Sequence, residues 1–140
     1  MSREQFDFLR FEQVAVFYRN AMPGTFGSLF AAVILSGMLY LTGGIPLRSM
    51  LIFDALVAAS VVGRFVLLHA YARAKPRHAE WRKWGIAATL SALAGGIAWG
   101  SATVFPMVDG RADLQLLVFL TAAGMAAGSI TAFGTFLPAY

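Results

Sequence analysis

The sequence contains no cysteine, which excludes a disulfide framework, a thiolate nucleophile and any metal site built on Cys. It is also short of charge: Asp, Glu, Lys and Arg make up 13% of its 140 residues, against about 25% in ordinary soluble domains, too few to coat a water-facing surface. Histidine occurs twice, as His69 and His78, and no His, Cys, Asp or Glu stands four positions from either. Helix-borne metal or haem ligation therefore has no pair to build on. A P-loop, a GxSxG elbow and paired carboxylates on one helix face are all missing, so neither catalysis nor a cofactor is expected in this chain. The first residues, MSREQFDFLRFEQVAVFYRNAMPG, lack the short basic region and small-residue cleavage site of a secretory signal. The first apolar run is accordingly expected to be retained.

What is present is apolar. Hydrophobic residues make up 59% of the chain, gathered into four runs near 22–42, 50–71, 84–105 and 114–137. Each is about 20 residues long, the length that crosses a hydrocarbon core of roughly 30 Å. Period-two alternation is absent, and an unpaired sheet edge cannot face lipid. The expected fold is all-α: a polytopic membrane protein in which an antiparallel bundle of four transmembrane helices (22–140) follows a short N-terminal segment (1–21). The connections GGIPLRS, ARAKPRHAEWRK and PMVDGRAD are short and carry Pro or Gly with charge, which makes neighbouring helices antiparallel. In the N-terminal segment Phe6, Leu9, Val16 and Phe17 can share one helical face while Phe8, Phe11 and Tyr18 fall elsewhere. That pattern is expected to form a short interfacial helix lying on the cytoplasmic surface of the membrane, with a partly ordered tail as the alternative.

The net charge of +4 is distributed between the apolar blocks. This matches topology better than a phosphate-binding face, and no nucleic-acid-binding motif accompanies it. Lys and Arg near helix ends stay on the cytoplasmic side. Arg3, Arg10 and Arg19 precede the first run, and Arg73, Lys75, Arg77, Arg82 and Lys83 fill the second connection. The first and third connections hold only Arg48 and Arg111. Eight against two predicts a cytoplasmic N-terminus, and an even number of spans returns Tyr140 to the same side. Trp81 and Trp84 stand at the start of the third run, where amphipathic rings favour the membrane–water interface.

Arg64 and Asp54 are the ionisable residues well inside a run, and such residues are functional candidates. Ten residues apart on one helix, they are separated by about 15 Å, too far to pair. Arg64 lies about 10 Å from the cytoplasmic end near Tyr71, so it can snorkel toward the headgroups or turn inward onto carbonyls and hydroxyls of another span. Asp54 lies nearer the outer end, placed to cap the second helix or to meet Arg48 or Arg111; an ion-binding role is the alternative. His69 is a candidate proton sensor or an ordinary interfacial residue. Gly96 and Gly100, and again Gly124 and Gly128, stand at GxxxG spacing amid alanines, the pattern of close helix packing. The seam they predict is either static or able to shift with a signal.

The segments FYRNAMPGTFGSLFAAVIL, GRFVLLHAYARA, WRKWGIAATLSALAGGIAWGSATVFP and FLTAAGMAAGSITAFGTFLPAY together resemble the N-terminal membrane module of bacterial signalling proteins. In that family a similar hydrophobic region precedes a cytoplasmic histidine-kinase core or a GGDEF/EAL cyclic-di-GMP module. The resemblance covers nearly the whole chain from Phe17 onward. It implies an inner-membrane sensory and anchoring module, homodimeric through its transmembrane helices, that relays a membrane or small-molecule signal to an attached output domain. The family pattern continues with a further pair of spans and the output domain, so a chain that stops while still apolar is expected to be a piece of a longer protein. Two other classes suit the composition: a small four-helix transporter with Asp54 or Arg64 on its path, and a structural subunit docked through the glycine seams.

Overall fold

The computed structural model describes residues 3–104 and 110–133, with side chains from 4 to 128 inside those stretches. All of the regular structure among them is helical: α1 (Arg3–Leu41), α2 (Leu47–Ala74), α3 (Trp81–Gly100) and α4 (Ala112–Phe133), with 3₁₀ turns at His78–Glu80 and Ser101–Thr103. Three helical stretches, Glu4–Leu41, Leu47–Ala74 and His78–Thr103, are long and apolar enough to cross a membrane, and Ala112–Gly128 is a shorter apolar helix. Residue 105 at the end of the expected third span, and 134–137 of the fourth, lie outside the described residues.

Helix α1 is continuous over 39 residues, about 58 Å and nearly twice the thickness of a hydrocarbon core. The division expected near residue 21 leaves no break in its backbone. Pro23 sits inside the helix and removes one donor from its ladder. Two residues on, the buried Thr25 hydroxyl donates to the Ala21 carbonyl at 2.7 Å, and packing on both sides of the proline carries the helix through. α1 stops where left-handed backbone is available: Gly43 has φ +68°, the Gly43 and Gly44 amides bond back to Tyr40 and Leu39 at 2.9 Å, and Pro46 precedes α2. α2 ends at Lys75, itself left-handed with φ 44°. Arg111 opens α4 by a forked pair to Asp113, Nε to Oδ1 at 3.0 Å and Nη2 to Oδ2 at 2.8 Å.

The side-chain contacts make consecutive helices antiparallel. Tyr18, near the middle of α1, stacks on Tyr71 at the C-terminal end of α2, while Ser36, in the last turns of α1, meets Asp54 toward the start of α2. Phe53 of α2 packs edge-on against Trp99 of α3. The core is divided in two. One cluster, termed outer for lying toward the turn between α1 and α2, is built from Leu35, Leu39, Phe53, Val57, Trp99 and Val118. The inner one is built from Val14, Phe17, Tyr18, Ala21, Trp84 and Ala88, with Leu67, Leu68 and Tyr71 against it. Between these packed ends, at the level of residues 24–28, 60–64 and 91–96, the helices leave a half-open groove lined by small residues. Large apolar side chains point away from it, as with Phe30 at 70% and Leu41 at 85% exposure, the inside-out arrangement of a bundle surrounded by lipid rather than water.

Beyond the inner cluster the first turns of α1 are covered by the second connection. The Trp81 indole N–H donates to Asp7 Oδ1 at 2.9 Å. Phe8 and Phe11 flank the His78 ring with centroids 5.3 and 4.6 Å away. The buried Arg10 guanidinium lies over Phe6, a cation–π contact.

Candidate functional site

The space between the two clusters is a half-open groove of about 570 Å³ lined from all four helices, with Gly24, Gly27, Gly96, Gly100, Gly124 and Gly128 exposed along it. Arg64 is the one charged residue among the described residues that line it. The side chain is turned inward: Nε donates to Ser91 Oγ at 3.3 Å and Nη2 to the Ser91 carbonyl at 3.2 Å, both on α3. Inward placement resolves the two directions open to it in the sequence, and the reason is local. Gly95, one turn beyond Ser91, has no side chain, and a Cβ there would lie 2.9 Å from Arg64 Nη2. The guanidinium thus approaches the α3 backbone in the gap the glycine leaves.

Gly96, Gly100, Gly124 and Gly128 all line the same groove. A Cβ on any of them would meet no neighbouring atom within 4 Å, so within this chain they are not points of close helix approach. The GxxxG glycines are exposed along the groove, and the other residues lining it are small as well: Gly24, Gly27 and Ser28 on α1, and Ala122 and Ala126 on α4. The outer wall is fixed by Trp99, whose Nε1–H donates to Ser28 Oγ at 2.7 Å.

Asp54 lies elsewhere. It is in the third turn of α2, past any capping position, and neither Arg48 nor Arg111 holds it: Ser36 Oγ donates to its Oδ2 at 2.9 Å, and Arg111 is engaged by Asp113. The other oxygen, Oδ1, is buried with no hydrogen-bond partner among the described residues. His69 is exposed on α2 and lines neither place. The structure therefore separates the sequence candidates into a groove holding Arg64 and the four glycines, a distinct Ser36–Asp54 pair, and an outlying histidine. Sequence reasoning missed Ser91, Gly95, Ser28 and Ser36, whose roles arise from contacts 18 to 71 residues distant in the chain. The only available signal was small polar residues interrupting apolar helices. Among the described residues no group of three His, Cys, Asp or Glu is placed to hold a metal ion.

No protein-family model, curated protein or solved structure matches this chain.

Proposed function

We propose that this chain is the membrane-embedded input module of a bacterial signal-transduction protein. In this reading four helices cross the cytoplasmic membrane, both chain ends face the cytoplasm, and two copies associate through their helices. Displacement of those helices passes a signal to a cytoplasmic histidine-kinase or GGDEF/EAL domain. The observation that supports it best is Arg64, a half-buried permanent cation bonded to Ser91 of α3 at a groove between two well-packed ends. A cation retained inside an apolar bundle is costly unless the site uses it. A groove lined from four helices is also a place where an occupant changes their packing. Such a device needs two arrangements of similar energy and a ligand with unequal affinity for them.

The test is made in the full-length gene product. Arg64→Leu is expected to leave membrane insertion and accumulation intact and to change the output of the attached enzyme, read as phosphorylation or cyclic-di-GMP level. Unchanged output would reduce Arg64 to a structural residue, and a gene that carries none of these output domains would overturn the reading.

A second reading, a small transporter, is favoured by one observation: the buried carboxyl oxygen of Asp54 that has no partner among the described residues, as a coupling-ion site requires. It predicts uptake by reconstituted vesicles that is lost in Asp54→Asn.

A further inference from the structure

We infer that Asp54 is a proton-binding site in the outer half of the bundle: at neutral pH it holds a proton on the oxygen that faces Ser36, as a neutral carboxylic acid. The inference rests on neither functional reading above; an input module would sense this proton and a small transporter would carry it.

Ser36 has one hydroxyl hydrogen and two acceptors beside it: Asp54 Oδ2 at 2.9 Å and the Val33 carbonyl, one turn back on α1, at 3.4 Å. Ser36 is itself fully buried. If Asp54 is ionised, the hydroxyl serves the carboxylate, the Val33 contact has no hydrogen, and Oδ1 is a buried anionic oxygen with no donor among the described residues. A proton on Oδ2 changes all three. Asp54 then donates to Ser36 Oγ across the same 2.9 Å, and Ser36 passes its own hydrogen to the Val33 carbonyl. Oδ1 becomes the carbonyl oxygen of a neutral group, far less costly to leave without a donor than the oxygen of a carboxylate.

Charge points the same way. The titratable and charged groups on the helices around Asp54 are few. On α1 there is Tyr40, one turn beyond Ser36; on α2 there are Arg48 near the start and Arg64, about 15 Å further along the axis; α3 has none from residue 84 to 100. At the entry to α4, Arg111 and Asp113 are bonded to one another at 2.8 Å. The one hydrogen-bond partner of Asp54 among the described residues is Ser36, and no cation pairs with it there. The chain neighbours Leu35 and Phe53 are both buried in the outer cluster. A carboxylate in such a place, with no cation to offset it, takes up a proton rather than keep its charge. A hard metal cation needs about six oxygens, whereas one hydroxyl and one carbonyl are what α1 offers beside Asp54. The proton is the cation this geometry fits.

The experiment is infrared spectroscopy of the full 140-residue chain in vesicles of ether-linked phosphatidylcholine, which has no ester carbonyl to mask a carboxylic acid. The expected result at neutral pH is a carboxylic-acid C=O band that moves when aspartate is isotope-labelled at its side-chain carboxyl. The band should be lost in Asp54→Asn, disappear reversibly at alkaline pH, and shift to higher frequency in Ser36→Ala, where the acid hydrogen loses its acceptor. Dichroism of the amide band in the same spectra reports that each variant is inserted. A band that appears only below about pH 5, where ordinary carboxylates take up protons, would overturn the inference. So would a neutral-pH band that Asp54→Asn leaves unchanged. If Asp54→Asn does not insert, the Ser36→Ala shift of the labelled band makes the assignment, and an unshifted band there overturns the inference as well.

Discussion

Gly95 and Arg64 are fitted to one another across α2 and α3: a methyl group on Gly95 would stand 2.9 Å from Arg64 Nη2 and 3.9 Å from Cζ. The neighbouring Gly96 has open space at the same point. The pair of substitutions Gly95→Ala and Gly96→Ala therefore separates two effects that are normally confounded. Both replace glycine within a helix, a change worth up to about 1 kcal/mol in favour of alanine. Only Gly95→Ala pushes the guanidinium off the Ser91 carbonyl, forfeiting a charge-assisted bond worth about 1.5–3 kcal/mol. Gly95→Ala should therefore be the less stable of the two by about 1–3 kcal/mol, measured by reversible unfolding in detergent. Equal stability would mean that Arg64 finds another position at no cost.

The Ser36–Asp54 pair gives a second test. Ser36 is fully buried and supplies the bond to Oδ2, while Oδ1 has none among the described residues. Ser36→Ala leaves both carboxyl oxygens without this donor and should destabilise the bundle by about 1–3 kcal/mol. Ser36→Ala combined with Asp54→Leu removes both polar partners and should recover most of that loss, since an apolar pair of similar shape has nothing to satisfy. A double-mutant cycle with no coupling would show that the two side chains act independently.

The parts of this architecture that were legible in the sequence are those dictated by local backbone chemistry. Gly43 and Gly44 before Pro46 end α1 where glycine's conformational freedom allows it, and Pro76 stops α2, although Lys75 before it takes a left-handed φ of 44° that lysine seldom adopts. Pro23–Gly24 looks like the same punctuation, yet α1 runs through it, because Tyr18, Ala21 and Thr25 around it are buried and tertiary contact outweighs the local preference. The direction of Arg64 had no local signal at all. It depends on Ser91 and Gly95, residues identifiable as its neighbours only after α2 and α3 are folded together. The GxxxG pairs illustrate the converse: the spacing was visible, but whether it closes a seam or borders an open groove is decided by the residues opposite, which here are small too.

The covering of α1 by the second connection yields a third prediction. Trp81→Phe keeps an aromatic ring beside Phe6, now 6.2 Å away, but removes the indole N–H that bonds to Asp7 at 2.9 Å. Loss of about 1 kcal/mol should accelerate amide hydrogen exchange in residues 4–13 roughly fivefold to tenfold. Residues 32–39, packed in the outer cluster, should exchange as before. If residues 4–13 are already unprotected in the parent chain, the first turns of α1 do not dock on this connection.

The orientation can be settled with the cysteine-free background that the sequence itself provides. Thr42, Arg77 and Ala112 are exposed, so single substitutions Thr42→Cys, Arg77→Cys and Ala112→Cys add one reactive thiol to each connection in turn, and Tyr140→Cys adds one at the last residue. With an impermeant maleimide applied to intact cells, the thiols at 42 and 112 should label and those at 77 and 140 should label only after the membrane is opened. The physical basis is the concentration of Arg and Lys in the N-terminal segment and second connection, which resist transfer across the bilayer. Labelling at 77 from outside would invert the bundle. Labelling at 140 from outside would show that α4 does not cross, and would place any output domain attached beyond it on the wrong side of the membrane for a cytoplasmic enzyme.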